Sequence, residues 1–199
     1  QVRSVVDVSD AGVTFQANDL DDATGLHVWR WDDSQLTALT SEPGVHTAVV
    51  GGPTTVIRTA TLDAPGSRTV TLDCHLFASN AEVPLVDPNV ELISAGLRSL
   101  ATAVLVPRDH DGPPLPVLLD PYGGPHALRV QRSWNAFASS QWFADQGFAV
   151  VVSDGRGTPG RGAGWERAVH RDLATAPLED QIDALHAAAE RFDVLDLDR

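Results

Sequence analysis

The chain contains no methionine, no lysine, one cysteine and one tyrosine among its 199 residues. A single cysteine, Cys74, excludes an internal disulfide, and its neighbours predict a structural thiol within a strand. The N-terminus has no basic segment followed by an apolar run, so it does not resemble a secretory signal. Since position 1 is also not methionine, we expect an internal piece of a longer chain, located in a reducing cytoplasm.

Long apolar runs and an excess of positive charge are also missing. The longest purely apolar run, residues 148–152, is far too short to span a membrane. All 14 basic residues are arginine, and 27 acidic residues give a net charge of -13. This balance argues against nucleic acid or an anionic membrane as a partner. With 43% hydrophobic and 21% charged residues, we expect a soluble, ordered protein.

The first eighty residues alternate short apolar runs with turn clusters rich in Gly, Pro, Asp and Ser. The runs are 5–8, 13–16, 26–31, 36–39, 48–50, 56–59 and 70–77. A spacing of about 8 to 15 residues is typical of an all-β meander. Either a sandwich or four-stranded propeller blades would give this rhythm. We favour propeller blades for residues 1–80.

The pattern changes after an extended linker, residues 81–90, which contains Pro84 and Pro88. Residues 91–199 alternate strands and helices, which predicts an α/β layer architecture. The predicted strands are 91–95, 101–106, 116–119 and 148–152. The third of these is a short apolar run of the kind buried on both faces. A further core strand is expected just after Arg199.

Two helices are predicted in this second region. The first carries one apolar face and ends near Gly147, a suitable left-handed residue. The second begins near Pro177, which suits a first helical turn. The expected apolar faces are Trp134, Phe137, Ala138 and Trp142 in the first helix, and Leu178, Ile182, Leu185, Ala189 and Phe192 in the second.

The segment Asp120-Pro121-Tyr122-Gly123-Gly124-Pro125-His126 directly follows the predicted strand 116–119. Ligands gather at the carboxyl ends of such strands, and the glycines and prolines give the loop a tight, fixed shape. Tyr122, the single tyrosine, can aim a neutral hydrogen-bond donor at a developing oxyanion. Packing is the alternative role, because Gly51-Gly52-Pro53 shows that the tripeptide alone carries no chemistry.

A second glycine-rich segment, Ser153-Asp154-Gly155-Arg156-Gly157-Thr158-Pro159-Gly160, formally matches a dinucleotide-binding pattern. Pro159 and two later glycines prolong the loop where a helix should begin, and no ribose-binding acid follows, so we exclude a nucleotide. His186 and Glu190 lie one helical turn apart but have no third ligand. We therefore expect no metal and no cofactor, and we assign His126 to loop packing or a pocket wall.

Four motifs in this order resemble the prolyl oligopeptidase family, nearest its dipeptidyl peptidase IV branch. They are Tyr122-Gly123-Gly124-Pro125, Gln141-Trp142-Phe143, Ser153-Asp154-Gly155-Arg156-Gly157 and Leu178-Glu179-Asp180-Gln181. The resemblance covers most of residues 85–199. Residues 25–30 and 43–46 are similar, more loosely, to the last propeller blades of that family.

The resemblance implies a Ser-His-Asp peptidase whose propeller limits access to short or unstructured peptides. The fold class is then the first part of an α/β-hydrolase, residues 91–199, preceded by an all-β propeller-blade segment. Tyr122 would stabilise the oxyanion together with the backbone N–H of the residue after the nucleophile. Asp154, Arg156 and residues 179–181 would maintain loop and helix geometry.

This sequence departs from the family pattern, because it has no Gly-x-Ser-x-Gly nucleophile elbow. The nucleophile, acid and histidine of the triad are all expected beyond Arg199, and substrate-binding residues are not assigned. We expect the parent protein to release N-terminal dipeptides with Pro or Ala second. Another family member, such as an acylaminoacyl peptidase or an oligopeptidase, and a non-catalytic interaction module are the alternatives. The chain alone should be inactive and should self-associate, or form a homo-oligomer.

Overall fold

Two four-stranded antiparallel sheets form the first of two units, in a computed structural model that describes residues 1–122 and 124–199. This first unit comprises residues 1–84 and 131–135. Its first sheet has the order β1 (Val2–Ser9), β2 (Gly12–Ala17), β3 (His27–Trp31), β4 (Leu36–Ala38). The second has the order β5 (Val45–Gly51), β6 (Thr54–Ala60), β7 (Arg68–Thr71), β8 (Leu76–Phe77). Each sheet is a simple meander, because its chain order equals its spatial order.

The two sheets of the first unit are joined through Leu26, which forms a single parallel bridge with Val45. The Leu26 N–H donates to the carbonyl oxygen of Gly44 at 3.0 Å, and the His46 N–H donates to that of Leu26 at 2.9 Å. Side chains add to the link, since the Arg30 guanidinium donates to the Thr55 hydroxyl at 3.2 Å. Consecutive four-stranded meanders linked in this way have the form of adjacent propeller blades.

The predicted single strand 70–77 is wrong, because the chain reverses between β7 and β8. The Cys74 N–H donates to the carbonyl oxygen of Thr71 at 2.9 Å, and the Thr71 N–H donates to that of His75 at 3.0 Å. Cys74 adopts a φ of 69°, which no strand residue takes. The predicted strand thiol is therefore an exposed residue of a tight turn.

His46 is the largest polar side chain that is fully buried in the first unit. Its Nε2 contacts the carbonyl oxygen of Glu42 at 2.9 Å and must donate, so Nδ1 accepts from the Thr59 hydroxyl at 2.9 Å. The ring also stacks on His27, with centroids 5.1 Å apart. Burial, with a smaller effect of His27, lowers the His46 pKa below its ordinary value of 6.5.

We expect the first unit to lose stability as the pH falls below about 6.5. The unfolded imidazole binds a proton there while the buried, neutral His46 does not, so stability is complete above the unfolded pKa. Each unit of pKa depression contributes about 1.4 kcal/mol. Urea unfolding at pH 7.5, 6.5 and 5.5 measures this dependence. His46→Asn should flatten it, and a slope identical to that of the unchanged chain would contradict the assignment.

The strand β1 lies at a sheet edge, with only β2 as a neighbour among the described residues. It exposes Val2, Val5 and Val8, with exposed fractions of 56%, 60% and 72%. An apolar edge strand with unpaired backbone groups is a template for pairing with another chain. We propose that this edge promotes the self-association expected from the sequence.

We expect the 199-residue chain to show a mass above that of the monomer in light scattering after size-exclusion chromatography. Val5→Lys places a charge on the apolar edge and should shift the population toward monomer. Ser9→Lys adds the same charge at an exposed polar position of the same strand and should leave the mass unchanged. A monomer at every concentration would overturn the prediction.

The second unit comprises residues 85–130 and 136–199 and contains one mixed sheet. Its order is β13 (Leu195–Asp196), β11 (Leu115–Leu119), β12 (Ala149–Asp154), β10 (Leu100–Leu105), β9 (Val90–Ala95). The strand β11 runs parallel to both neighbours, whereas β9 and β10 are antiparallel. The α-helices are α1 (Ala138–Ala144), α2 (Ala163–Arg167) and α3 (Thr175–Ala189), and a 3₁₀ helix spans Trp134–Ala136.

The strand β12 is buried along its whole length, as its continuous apolar sequence predicted. Both α1 and α3 pack on β12. The strand β11, which was also predicted to be buried on both faces, is only half-buried. Its neighbour β13 is two residues long, so much of one flank of β11 lacks a cover of described residues. The third core strand begins at Leu195 and not after Arg199, which corrects the predicted position.

The predicted apolar faces of the helices are only partly correct. Trp142 is 52% exposed, because α1 starts at Ala138 after the 3₁₀ turn and no longer presents this side chain to the sheet. Gly147 does take a positive φ of 99° after the end of α1. In α3, Leu178 and Ile182 are exposed. The residues that α3 buries are Pro177, Asp180, Gln181, Ala184 and Ala188.

The buried face of α3 has a physical explanation in its partners. Asp180 is paired with an arginine of the loop after β12, and the Gln181 side-chain amide donates to the carbonyl oxygen of Ser153 at 2.9 Å. Ala184 and Ala188 lie in the core cluster with residues of β9, β10 and β12. The small alanine side chains permit a close approach of the helix to the sheet. Because buried polar groups need partners, the pairing of Asp180 and Gln181 determines which face of α3 is buried. Among the described residues, no helix has the length and hydropathy needed to cross a bilayer.

Candidate active site

Tyr122 lies just beyond the carboxyl end of β11, beside the end of β12. The parallel register of these strands continues from Leu119 opposite Val151 to an isolated bridge between Tyr122 and Asp154. Between them, the Asp120 N–H donates to the carbonyl oxygen of Val151 at 2.9 Å. The sheet therefore fixes the backbone of the tyrosine, at the edge where ligands of such sheets bind.

The Tyr122 loop, residues 120–130, returns to the sheet at the side chain of Asp154. This carboxylate is 2% exposed, and it accepts the Arg129 N–H at 3.0 Å and the Val130 N–H at 2.8 Å. Burial raises the pKa of the Asp154 carboxyl above its ordinary value, and the two backbone donors act in the opposite direction. A buried acceptor with these donors stabilises the end of the loop.

A second carboxylate, Asp120, closes the base of the Tyr122 loop. Its Oδ2 pairs with the Arg129 guanidinium at 2.5 Å and accepts the Ser140 hydroxyl of α1 at 2.9 Å. Both side chains of the pair are partly exposed, at 30% and 26%, so this contact is weaker than the buried one. The loop is thus held at both ends by carboxylate contacts.

The phenol of Tyr122 lies against the backbone of Gly124, which is buried. A Cβ placed on Gly124 would lie 3.4 Å from the Tyr122 hydroxyl and 3.5 Å from its ring carbon. No hydrogen bond joins this hydroxyl to any residue of the described ranges 1–122 and 124–199. Tyr122 is half-buried. Gly123, the other glycine of the motif, lies outside the described residues.

The second glycine-rich segment, residues 153–160, contacts the helix α3. Asp180 of α3 has a fully buried side chain that accepts the Arg156 N–H at 2.6 Å and pairs with its guanidinium at 2.9 Å. Hydrogen bonds to Asp180 and Glu179 raise the pKa of Arg156. A Cβ on Gly155 would lie 2.7 Å from the Asp180 Cβ, so glycine is required for this approach. These contacts agree with the expectation that Arg156 and residues 179–181 maintain the geometry of the loop and the helix.

Sequence reasoning proposed a role for Tyr122 and gave none to Asp120, Arg129 or Ser140. Asp120 and Asp154 each follow a strand of the parallel pair, and this common position is the one signal that could have linked them. His126 is exposed on the loop. His186 is exposed on α3 and Glu190 is exposed just after its end, and the described residues contain no group of three or more His, Cys, Asp or Glu side chains arranged to hold a metal ion.

The folds of two solved structures cover nearly the whole chain. Dipeptidyl peptidase 4 of Porphyromonas gingivalis matches with a TM-score of 0.80 and 21% identity, over 95% of this chain and 29% of its own. The acylaminoacyl peptidase of Pyrococcus horikoshii matches with a TM-score of 0.74 and 13% identity, over 98% of this chain and 32% of its own. The predicted fold class is confirmed: propeller-blade sheets precede the first part of an α/β-hydrolase sheet.

Sequence comparisons find similarity to one family of peptidases. The model of the prolyl oligopeptidase family matches residues 134–199. Human dipeptidyl peptidase 8 is 36% identical over 100 residues, 46% of this chain and 11% of its own length. The probable dipeptidyl peptidase 4 of Aspergillus flavus is 28% identical over 185 residues, 88% of this chain and 23% of its own length. These matches confirm the resemblance to the prolyl oligopeptidase family, and this chain spans less than a quarter of either relative.

Proposed function

We propose that this chain is part of a serine peptidase and that the whole protein releases dipeptides from the free amino terminus of short peptides. The observation that carries the proposal is the Tyr122 hydroxyl, which has no hydrogen-bond partner among the described residues and is held at the carboxyl end of β11. A fixed, neutral phenol suits the oxyanion of a tetrahedral intermediate, since it donates a hydrogen bond without adding charge.

The direction of β13 supports the proposal that the nucleophile lies close to Tyr122. This strand runs parallel to β11, and the Val117 N–H of β11 donates to the carbonyl oxygen of Arg199 at 3.2 Å. A strand that continues β13 would end at the same edge of the sheet as Tyr122. A strand-to-helix elbow at that end would expose a serine and direct the next backbone N–H toward the same oxyanion.

In this mechanism Tyr122 supplies one of two donors to the developing negative charge. The second donor is the backbone N–H of the residue after the serine, and each donor contributes about 3 to 4 kcal/mol of transition-state stabilisation. The serine, its histidine base and the acid that orients the histidine all belong to other parts of the protein. In this mechanism this chain contributes one of the two oxyanion donors.

The proposed release of dipeptides is supported by relatives that are named dipeptidyl peptidases. A preference for proline or alanine as the second residue is a further part of the proposal. We also propose that the natural substrates are peptides and that the protein forms homo-oligomers. A cytoplasmic location agrees with an exposed, unpaired cysteine at Cys74.

The substrate class is tested with the longer protein that contains this chain. Peptides that begin Gly-Pro or Ala-Pro are offered with a free amino terminus and, as the matched control, with an acetylated one. We expect release of the dipeptide from the free form only, identified by its mass. Cleavage restricted to acetylated peptides would favour an acylaminoacyl peptidase, cleavage within longer peptides an oligopeptidase, and no cleavage a non-catalytic interaction module.

The 199-residue chain by itself should not hydrolyse a chromogenic Gly-Pro substrate. It has no Gly-x-Ser-x-Gly sequence, so it lacks the activated nucleophile that covalent catalysis needs. The measurement is release of the chromophore at equal molar concentrations of this chain and of the longer protein. Turnover by the chain alone would overturn the proposed division of the catalytic residues.

A further inference from the structure

Asp154 contacts both ends of the Tyr122 loop. Its backbone forms the parallel bridge with Tyr122, and its carboxylate binds the N–H groups of Arg129 and Val130 at the other end of the loop. The carboxylate is buried, so little water competes for these donors. One residue therefore couples the backbone of the tyrosine to the segment that closes its loop.

Asp120 gives the loop a second point of attachment. Its carboxylate joins the Arg129 side chain to the Ser140 hydroxyl of α1, while its own N–H continues the pairing with β12. Arg129 is thus held twice, through its backbone by Asp154 and through its guanidinium by Asp120. Neither carboxylate is assigned a role in bond making or breaking.

We propose that Asp154 and Asp120 are positioning residues that hold the Tyr122 hydroxyl at the oxyanion, an inference that rests on the proposed function. An oxyanion donor is effective only when its location is fixed before the charge develops. A displacement of about 1 Å in a catalytic group can reduce the rate by up to about a hundredfold. The two carboxylates limit such displacement by tying both ends of the loop to the sheet and to α1.

Asp154→Asn tests the stronger attachment with a side chain of nearly the same size. Asparagine offers one oxygen and one NH₂ group where the carboxylate offers two oxygens, so a donor would face the N–H groups of Arg129 or Val130. In the longer protein we expect kcat for a Gly-Pro substrate to fall about tenfold or more, with KM changed less than about twofold. Asp183→Asn on the exposed face of α3, which contacts Arg98, is the matched control and should leave kcat unchanged.

The decisive measurement is a double-mutant cycle with Tyr122→Phe. If Asp154 acts through the Tyr122 hydroxyl, its replacement should change kcat less than about twofold once that hydroxyl is absent. Independent, multiplicative losses would show a general structural effect and overturn the positioning role. An unchanged kcat for Asp154→Asn alone would also overturn it. If Tyr122→Phe alone leaves kcat unchanged, the oxyanion role of Tyr122 fails instead, and if the longer protein cleaves no peptide, the proposed function fails, so these failures are distinguishable.

Asp120→Asn repeats the cycle at a partly exposed site and keeps the test valid if Asp154→Asn does not fold. Its weaker ion pair predicts a smaller fall in kcat, about threefold, again lost in the Tyr122→Phe background. Thermal unfolding of each variant is measured beside the kinetics. Full multiplicativity of the Asp120 and Tyr122 effects in folded protein would contradict the proposal.

Discussion

Replacing Tyr122 by phenylalanine in the longer protein should lower kcat by about a hundredfold or more for a Gly-Pro substrate. The substitution removes one hydroxyl that has no partner among the described residues, so the folded state loses no hydrogen bond to them. In the proposed role the hydroxyl interacts most strongly in the transition state, so KM should change little. Steady-state kinetics over a range of substrate concentrations separates the two parameters.

Thr37→Val provides the matched control, since it removes an exposed hydroxyl from β4 in the first unit. It should leave both kcat and KM unchanged, and both variants should unfold at the temperature of the unchanged protein. A Tyr122→Phe protein with full kcat would remove the oxyanion role. A lower kcat together with a lower unfolding temperature would instead indicate a packing role, which was the alternative raised by the sequence.

Arg156→Ala should reduce the stability of the second unit by about 3 to 5 kcal/mol. The guanidinium is 22% exposed and its partner Asp180 is fully buried, so the substitution leaves a buried carboxylate without its main counter-charge. Arg98 lies 3.7 Å from Asp180 and offsets only part of the loss. Urea unfolding of the 199-residue chain, followed by circular dichroism, gives the free energy of unfolding.

Arg191→Ala is the control for this prediction, because Arg191 pairs with Glu91 at the surface, where both side chains are more than half exposed. Such a pair contributes at most about 1 kcal/mol. The large difference expected between the two arginines follows from burial of the partner. Equal losses for both variants would contradict the role assigned to the Arg156 and Asp180 pair.

Local sequence patterns predicted those parts of the fold that depend on neighbouring residues in the sequence. The apolar run 148–152 indicated β12, and the strand pair β9 and β10 was also predicted. Gly147 was expected to take a left-handed conformation, and it does. Each of these depends on periodicity or on the backbone freedom of one residue, which a few neighbouring side chains reveal.

The errors arise where distant partners decide the structure. Asp180 lies 24 residues from Arg156, and this pairing makes a polar side chain part of the buried face of α3 while Leu178 and Ile182 stay exposed. No pattern within the helix contains this information. Cys74 was misplaced for a different, local reason, since β-branched and apolar neighbours obscured a reversal of the chain.

The candidate site shows the same division. The glycine-rich motif after a strand identified Tyr122, because its location at a strand end has chemical meaning. The contacts of Asp154 with Arg129 and of Asp120 with Ser140 join residues 25 and 20 positions apart, so their spacing gave no signal. The sequence therefore allowed a hypothesis about the role of Tyr122, and it gave no indication of the residues that hold its loop.

The central claim, that this chain carries an oxyanion donor and not the nucleophile, is tested most directly with a fluorophosphonate, which reacts with activated serines. The longer protein and the 199-residue chain are treated in parallel, and modified residues are located by peptide mass spectrometry. We expect one labelled serine in the longer protein, outside residues 1–199, and no label on the chain alone. A labelled serine within these 199 residues, such as Ser153, would contradict the account.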